Sequence, residues 1–269
     1  MKKREITAFQ KIVYEHYCRH GRVLPWRRTK NPYRILVSEV MLQQTQVARV
    51  IPKYRVFLKT FPTVRVLAGA TLADVLRAWQ GLGHNRRGKF LHEAAKMITH
   101  DFGGTFPKSA EGIEKLPGIG HYTARAIPTF AHDSPEVFIE TNIRTAYLHH
   151  FFKNKASVSD TEILPYIKET LDRGNPREWY WALMDYGSVL KKQSGNQNRR
   201  SAHYAKQSKF DGSNRQLRGL ILKGVLLEKS ITAPALAKKI KKPTLIVREV
   251  ADTLVHEGLL KKTGGRYTC

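Results

Sequence analysis

Apolar residues recur every three to four positions along most of residues 8–190, and this spacing predicts amphipathic helices. Proline, glycine and asparagine occupy the gaps between these segments, which is where helices are expected to end. Alternation of apolar and polar residues is not sustained enough to predict a sheet in this part of the chain. The predicted helices cover residues 8–20, 35–61, 72–80, 88–100, 110–116, 122–132, 141–152, 160–172 and 177–190.

Residues 191–218 interrupt the helical pattern with eight Lys or Arg, a single acid and few apolar side chains. This composition predicts a basic loop or linker over residues 191–214. Such a segment could lie along DNA phosphates or could simply be solvated, and its composition favours neither alternative.

Residues 215–269 predict a small second module. Helical patterns at 216–228, 232–240 and 243–258 are followed by a strand-like end with Gly264 and Gly265 at a hairpin position. This order is typical of a winged helix, whose third helix would read a DNA groove. The alternative is that the module packs on the rest of the chain or binds another protein.

The charge balance points to the kind of partner. The 269 residues include 47 Lys and Arg against 22 Asp and Glu, a formal net charge of +25. An excess this large favours nucleic acid. No signal segment or membrane span is predicted, so we expect no membrane partner. The two cysteines, Cys18 and Cys269, fit a reducing setting, which in a bacterium or archaeon would be the cytoplasm with its nucleoid.

The segment L-P-G-I-G-H-Y-T-A (116–124) predicts that one helix ends and another begins within a hairpin at residues 114–124. Gly118 and Gly120 permit positive φ angles and close approach of the backbone. The N–H groups at the start of the second helix would face outward and could bind a DNA phosphate. This is the helix-hairpin-helix pattern, which grips the DNA backbone without reading its sequence.

Two carboxylates are candidates for chemistry. The segment S-E-V-M-L-Q-Q-T-Q (38–46) places Glu39 on what the spacing indicates is a half-buried helix, and a buried carboxylate is costly unless it is paired or used. Glu140 follows the hairpin motif and could return to the mouth of the hairpin. It could instead be an acid at a helix N-terminus that interacts with the helix dipole.

These motifs together resemble the endonuclease III superfamily of DNA glycosylases, and within it the A/G-specific adenine DNA glycosylases. The similarity covers roughly residues 8–190. The matching stretches are L-P-W-R-R-T-K-N-P-Y (24–33), S-E-V-M-L-Q-Q-T-Q-V (38–47), G-L-G (81–83), F-P (106–107), L-P-G-I-G-H-Y-T-A (116–124) and N-I-R (142–144). The resemblance implies an all-α fold, with a two-lobed helix-hairpin-helix glycosylase core over residues 1–190 and the winged-helix-like module at its C-terminal end.

The resemblance also implies a base-excision-repair enzyme, which we expect to be a monomer. It would hydrolyse the N-glycosidic bond of a flipped, mispaired base in double-stranded DNA, adenine opposite G or 8-oxoguanine. Glu39 would be the general acid and base, with a pKa raised by burial, while Glu140 would stay ionised and stabilise the cationic sugar. Asn142 and Tyr122 would support the acid and the flipped nucleotide. Tyr122 stands where bifunctional relatives have a lysine nucleophile, which favours a glycosylase without lyase chemistry.

Further site residues are carried over in the same way. The base pocket is expected to use Trp26, Arg27 and Trp181. The expected DNA contacts are Gln43, Gln44, His84, Asn85, Arg86, Arg87, Gly118, Gly120 and His121. No metal site is expected beyond a monovalent cation, which the resemblance places at the carbonyls of Glu114, Leu116 and Ile119.

Several positions depart from the family pattern. The family has Asp at the position of Glu140, and the longer side chain could misplace the carboxylate by about 1 Å, a shift that can cost about a hundredfold in rate. Trp181 aligns with the Gln or Glu that reads adenine, yet Trp offers a donor and no acceptor. No four-cysteine loop follows D-Y-G (185–187), so no iron–sulfur cluster is expected. The winged-helix pattern stands where relatives have a domain that inspects 8-oxoguanine.

These departures leave two other interpretations open. The chain could be a glycosylase for another base, such as hypoxanthine, or thymine or uracil opposite G. It could also be a non-catalytic DNA-binding protein in which the winged helix binds DNA. The retained Glu39, Tyr122 and Asn142 argue against a decayed catalytic site.

Overall fold

The computed structural model describes residues 2–206 and 209–269, which form fourteen α-helices, two 3-10 turns and three short strands. The mainly helical fold expected from the apolar spacing is thereby confirmed. The helices are α1 (Lys3–His20), α2 (Pro32–Leu42), α3 (Val47–Thr60), α4 (Val64–Gly69), α5 (Leu72–Trp79), α6 (Arg86–His100), α7 (Ala110–Glu114), α8 (His121–His132), α9 (Thr141–Phe151), α10 (Asp160–Thr170), α11 (Pro176–Gln193), α12 (Asn214–Glu228), α13 (Ala233–Ile240) and α14 (Thr244–His256).

The strands form one small antiparallel sheet near the C-terminus. They are β1 (Ile231–Thr232), β2 (Lys261–Thr263) and β3 (Arg266–Thr268), in the order β1-β3-β2. Gly264 and Gly265, both with positive φ, form the turn between β2 and β3, because a tight hairpin needs residues that tolerate this conformation. The predicted wing is therefore present, and α12, α13, α14 and the sheet have the order of a winged helix.

Three local features differ from the sequence-based expectation. The single helix predicted over residues 35–61 is two helices, because the chain turns after Leu42 and Gln44 takes a left-handed φ of 52°. No Pro or Gly marks this break, so the apolar spacing conceals it. The pattern also misses the six-residue helix α4 and the 3-10 turns at Pro25–Arg28 and Gln197–Arg200, which are too short to show a period.

The chain divides into two compact units. The first unit comprises Met1–Leu36, Lys108–Glu114 and Ile119–Lys206, and the second comprises Val37–Pro107, Lys115–Gly118 and Gln207–Cys269, each counted over its described residues. Within the parts of the chain that the structure describes, no helix has the length and apolarity that crossing a membrane requires.

The core of the first unit is rich in aromatic residues. The ring of Phe9 in α1 lies 5.3 Å from Tyr147 in α9 and 5.9 Å from Trp179 in α11, measured between centroids. Gly187 lets α11 approach α9 closely, because a Cβ at this position would lie 1.9 Å from the carbonyl oxygen of Asn142. The first residues of α9, which include Asn142, are therefore held against α11.

The second unit joins the helices α3–α6 to the winged-helix module. Leu76 of α5 belongs to one buried apolar cluster with residues of α12, α13, α14 and the sheet. Lys89 of α6 donates a hydrogen bond of 2.7 Å to the carbonyl of Glu257, and Arg218 of α12 pairs with the Glu257 carboxylate. The module is thus packed on α5 and α6. This agrees with the alternative, left open by the sequence, in which the module packs on the remainder of the chain.

Candidate active site

Glu39 lies near the end of α2, a helix that is more deeply buried than its apolar spacing indicates. Every residue from Ile35 to Met41 is buried, and Glu39 itself is only 5% exposed. Seven consecutive residues cover two turns of helix, so this part of α2 is enclosed on all sides. A carboxylate at such a place needs a structural or chemical reason, because burying an ionised group is costly.

Arg87 organises the two turns that follow α2 and α5. Its Nη1 donates hydrogen bonds to the carbonyls of Val40 (2.9 Å), Met41 (3.0 Å) and Gln43, while its Nη2 donates to Leu82 and Gly83 among others. Several of these carbonyls end α2, so the cation is placed where a helix terminus favours positive charge.

The environment of Arg87 fits a structural role. Burial lowers the pKa of the guanidinium to about 10, and its carbon lies 5.6 Å from the ring centre of Trp79. The sequence predicts a phosphate ligand here, but the structure directs both Nη atoms to carbonyls of the chain. We therefore assign Arg87 to holding the turns that carry the neighbouring predicted DNA contacts.

Those turns place the other predicted contacts of the second unit around one cavity of about 430 Å³. Gln44 and His84 both take left-handed backbone conformations, with φ of 52° and 45°. Arg86 begins α6 and lies over the ring of Phe90 at 5.3 Å. The residues that line the cavity are Val40, Gln43, Gln44, His84, Asn85, Arg86, Arg87, Phe90, Leu91, Pro117, Gly118, Arg215 and Arg218.

The two glycines of the hairpin motif have different structural requirements. Gly118 has a φ of 73°, and a Cβ there would lie 2.5 Å from the Cβ of Phe90, so both conformation and space require glycine. Gly120 has a φ of −97° and open space around its Cα, so it does not use the positive φ that a glycine permits. Gly120 precedes α8, which begins without a side-chain cap.

The first residue of α8 is tied to the end of α7. Arg125 donates to Glu114 at 3.1 Å, and His121 lies 3.6 Å from the other oxygen of the same carboxylate. Arg125 also lies 2.7 Å from the His121 Nδ1. In the described residues no group of three His, Cys, Asp or Glu could hold a metal ion. The monovalent cation at the carbonyls of Glu114, Leu116 and Ile119 stays a prediction.

Glu140 is the N-cap of α9. One carboxylate oxygen accepts the backbone N–H groups of Asn142 at 2.7 Å and Ile143 at 2.9 Å, and the other faces the Asn142 Nδ2 at 3.3 Å. Aspartate is a common N-cap, and the longer glutamate makes the same bonds here. The interpretation of Glu140 as an acid at a helix N-terminus is therefore confirmed as a structural fact, and a catalytic role would come in addition to it.

The ionisation of Glu140 differs from expectation. Burial is the largest influence and raises the pKa of the carboxyl, while the N–H donors of Asn142 and Ile143 and the charges of Arg144 and Arg22 act in the opposite direction. The net shift is upward, although the sequence predicts an open, cation-rich site that keeps the group ionised. The residue as a whole is half-buried, and the upward shift comes from packing around its carboxyl group, which the sequence does not reveal.

Tyr122 and Asn142 occupy neighbouring structural settings in the first unit. Tyr122 is the second residue of α8, and its ring meets Phe138 edge to face with centroids 5.5 Å apart. Phe138 precedes the Glu140 cap by two residues and stacks on Tyr180 at 3.9 Å. The side chains of three of the four predicted catalytic residues thus belong to the first unit, and Glu39 belongs to the second.

The basic segment after α11 folds back on α9. Asn198 is 4% exposed, and its Nδ2 donates to the carbonyl of Thr141 at 3.1 Å and to the hydroxyl of Thr145 at 2.7 Å. Arg200 donates to carbonyls at the other end of α9, including that of Leu148 at 2.9 Å. This polar clamp, Asn198 with Arg200, holds both ends of the helix that Glu140 caps.

The clamp concerns two expectations from the sequence, the basic linker over residues 191–214 and the iron–sulfur cluster that is not expected. The sequence left open whether residues 191–214 lie along phosphate or are solvated, and the structure shows that Asn198 and Arg200 donate hydrogen bonds to α9 and the residues after it. Cys18 is exposed on α1 and Cys269 follows β3, so the chain lacks four thiolates for an iron–sulfur cluster. The clamp occupies the segment after D-Y-G (185–187), where the resemblance to the family would place a cysteine loop.

The predicted base-pocket residues are only partly brought together. Arg27 makes a bidentate ion pair with Asp185 at 2.7 and 2.8 Å and lies 5.5 Å from the ring centre of Trp181. Arg27 and Trp181 line a cleft of about 490 Å³ in the first unit. Trp26 is 7% exposed and does not line that cleft.

Asp185 is a residue whose importance the sequence did not reveal. Its carboxylate pairs with Arg27 and also accepts hydrogen bonds from the backbone N–H and the Nε of Arg22, at 2.7 and 2.6 Å. Burial alone would raise the pKa of its carboxyl, but the hydrogen bonds and charges of the two arginines outweigh this and lower the pKa. The available signal was an acid just before Gly187 in a predicted helix rich in apolar residues.

Comparison with known proteins places these features in a family. Residues 37–171 match the model of the family described as "HhH-GPD superfamily base excision DNA repair protein". The "Adenine DNA glycosylase" of Buchnera aphidicola subsp. Baizongia pistaciae is 35% identical over 191 residues, which are 69% of this chain and 53% of that protein. That of Homo sapiens is 40% identical over 199 residues, 69% of this chain and 36% of that protein. The chain thus spans about half or less of these relatives.

Solved structures support the fold. A "thermostable thymine-DNA glycosylase" superposes with a TM-score of 0.64 at 21% identity, covering 75% of this chain and 97% of that one. A chain from "a non-covalent Endonuclease III-DNA Complex" superposes with a TM-score of 0.55 at 16% identity, covering 78% of this chain and 91% of that one.

Proposed function

Because this chain belongs to the HhH-GPD superfamily of base excision DNA repair proteins, we propose that it is a DNA glycosylase that releases adenine from a mispair with G or 8-oxoguanine. The observation that carries the proposal is the buried Glu39 within S-E-V-M-L-Q-Q-T-Q, together with relatives called adenine DNA glycosylases at 35–46% identity. Double-stranded DNA with a mismatch or lesion is the proposed substrate, in keeping with the net charge of +25.

Glu39 is proposed as the general acid. Adenine is a poor leaving group unless one of its ring nitrogens receives a proton, and a positioned carboxylic acid can deliver it as the N-glycosidic bond breaks. Burial suits this task because an enclosed acid is shielded from bulk water, which strengthens its electrostatic interaction with the leaving base. Once the base has left, the resulting carboxylate can accept a proton from the attacking water, which restores the starting state.

Glu140 is proposed as the carboxylate that stabilises the positively charged sugar, following the two-carboxylate logic of glycoside hydrolysis. Its backbone hydrogen bonds fix the carboxylate before substrate binds, and such preorganised charge is an effective source of transition-state stabilisation. Because those bonds hold it at the start of α9, the extra methylene of Glu relative to Asp is accommodated by the cap. Asn142 donates to the same carboxylate and is proposed to orient it.

Water, rather than an amine of the chain, is the proposed nucleophile. Tyr122 stands where a lysine would be needed for a Schiff base, so an abasic site with an intact strand is the expected product. No iron–sulfur cluster is proposed to take part, since the chain has two cysteines. We propose that the polar clamp of Asn198 and Arg200 supplies the local order. The protein is proposed to act as a monomer in the compartment that holds the DNA, the cytoplasm in a bacterium or archaeon.

A second candidate substrate follows from Trp181. This side chain lines a cleft in the first unit and offers one donor and no acceptor, so it cannot read both the donor and the acceptor on the edge of adenine. Hypoxanthine opposite T, or thymine or uracil opposite G, are the alternative bases. A non-catalytic DNA-binding protein is the alternative of another class.

A single-turnover substrate panel tests the proposal. The duplexes carry adenine opposite 8-oxoguanine, G or C, hypoxanthine opposite T, and thymine or uracil opposite G, and alkali converts abasic sites into strand breaks. Adenine opposite 8-oxoguanine or G is expected to react, with breaks that depend on alkali. Reaction of another duplex instead would keep the class and change the substrate, and binding without release of any base would refute the glycosylase proposal.

A further inference from the structure

The cavity of about 430 Å³ in the second unit has a lining that the proposed chemistry does not use. Among the described residues, four arginines and no acid line it, while Gln43, Gln44 and Asn85 add amide groups and Phe90 adds an apolar wall. Its volume lies within the roughly 300–1,000 Å³ range of sites that hold small organic ligands. Glu39 is not among the lining residues, although its neighbour Val40 is.

Arg215 and Arg218, in the first turn of α12, bring the winged-helix module to this cavity. Arg218 is held by its ion pair with Glu257, and the Glu257 carbonyl in turn accepts Lys89 of α6. Gly258 has a φ of 68° and no room for a side chain, because a Cβ would lie 2.7 Å from the Lys89 Nζ. The position of α12 at the cavity is therefore fixed by packing.

The positive charge at the cavity is concentrated enough to affect a neighbouring group. Burial lowers the pKa of His84, and the charges of Arg87 and Arg215 lower it further. Cations placed around one concave site create a potential that attracts an anion. An anion bound there would relieve the repulsion and raise the pKa of His84 again.

By contrast, α14 has a surface that suits DNA poorly. Leu245 is 66% exposed and Ile246 44% exposed, in the first turn where a recognition helix would read bases. Farther along, Arg248 is followed by Glu249, and Asp252 pairs with Lys262 of the wing at 2.8 Å. This helix therefore presents apolar and charge-balanced surface.

We propose that the winged-helix module binds the substrate DNA through the first turn of α12, where Arg215 and Arg218 complete a cavity for one backbone phosphate and its attached nucleoside, and that α14 does not contact DNA. The ligand class, DNA, rests on the proposed function. The module then serves as a clamp for the substrate, and its first helix replaces its third as the contact element.

The test compares two parts of the same module by binding, without requiring base release. Arg215→Ala removes a cavity charge, and the matched control, Lys242→Ala with Arg248→Ala, removes two exposed charges from the α14 side. Affinity for a fluorescent mismatch duplex is measured by anisotropy at several salt concentrations. Arg215→Ala is expected to weaken binding about tenfold and to reduce the salt slope by about 1, as for loss of one phosphate contact. The control is expected to change affinity by less than about twofold.

Further readouts separate the possible failures. Thermal unfolding of Arg215→Ala reports any loss of folding separately from binding, and the pKa of His84, followed by NMR, should rise when the duplex binds. Wild-type affinity in Arg215→Ala, or a larger loss in the α14 variant, would overturn the proposal. If Arg215→Ala weakens binding while the wild type releases no base, the cavity proposal stands and the glycosylase proposal fails. If base release is intact and Arg215→Ala binds normally, the cavity proposal fails and the glycosylase proposal stands.

Discussion

Two turns of the molecule hold predicted catalytic or DNA-binding residues, and they are organised by opposite charges. At the start of α9, the Glu140 carboxylate accepts backbone N–H groups at 2.7 and 2.9 Å. At the end of α2, the Arg87 guanidinium donates to carbonyls at 2.9 and 3.0 Å. Each charge complements the helix end that it caps. A charged residue in a binding motif can therefore act by stabilising the conformation of the turn in which it lies.

The two residues also differ in whether they have hydrogen-bonding capacity left to interact with substrate. Glu140 accepts three N–H groups, but a carboxylate has about four lone-pair sites, so it could act on a cationic sugar while it caps α9. Arg87 is half-buried, as Glu140 is, but directs both Nη atoms to acceptors of the chain. We therefore expect changes at Glu140 to alter the reaction first and changes at Arg87 to alter stability first.

The largest effect is expected from the charge of Glu140. Glu140→Gln keeps the length of the side chain and one oxygen for the cap, but it should lower the single-turnover rate by about 10²–10⁴-fold because the stabilising charge is lost. Glu140→Asp keeps charge and cap, and it should lower the rate about a hundredfold because the carboxylate moves by about 1 Å. A wild-type rate in the Gln variant would show that Glu140 is only a cap.

Arg87→Ala should have the next largest effect, on folding. It leaves several carbonyls of the two turns without a donor, so the free energy of unfolding should fall by about 2–4 kcal/mol. Arg87→Lys should recover only part of this, because an ammonium group cannot match the planar guanidinium. Urea unfolding measures both, with Arg86→Lys as the exposed neighbouring control. Unchanged stability together with weaker DNA binding would restore the phosphate role.

Asn198→Ala tests the clamp that supports the Glu140 turn. The buried Thr145 hydroxyl and Thr141 carbonyl each lose a hydrogen bond from Asn198, so the free energy of unfolding should fall by about 1–3 kcal/mol. Gln193→Ala, at an exposed position on the same segment, should change it by less than about 0.5 kcal/mol. Equal effects of the two changes would contradict a specific clamp.

The smallest effect is expected on the pH dependence. Since the pKa of the Glu140 carboxyl is raised and its ionised form is the active one, activity should decline with falling pH at values above those for an ordinary glutamate. The sign for stability is opposite. Ionising a group whose folded pKa is raised opposes folding, so Glu140 contributes less stability as pH increases past its unfolded pKa. A single-turnover pH profile flat down to the ordinary range would contradict the raised pKa.

Much of the fold could be predicted, because the apolar spacing and the Pro and Gly positions are local signals. The break after Leu42 was not predicted from the sequence. It depends on Arg87, 45 residues away in the sequence, whose guanidinium donates hydrogen bonds to carbonyls of α2. The motifs named candidate site residues, and the predicted DNA contacts of the second unit lie around one cavity, but the roles of these residues stay predictions. Three features could not be predicted from the sequence: the cap made by Glu140, the raised pKa of its carboxyl, and the ion pairs of Asp185. Each depends on which distant segments pack around a side chain.

The role of Glu39 is tested by measuring free adenine released from a duplex with adenine opposite 8-oxoguanine, at saturating protein, for the wild type and Glu39→Gln. We expect the wild type to release one adenine per duplex and to leave the strand intact. Glu39→Gln should lower the rate by about 10²–10⁴-fold with unchanged affinity for the duplex, because a general acid is removed. Equal rates for the two proteins, or no adenine from the wild type, would contradict the proposed role.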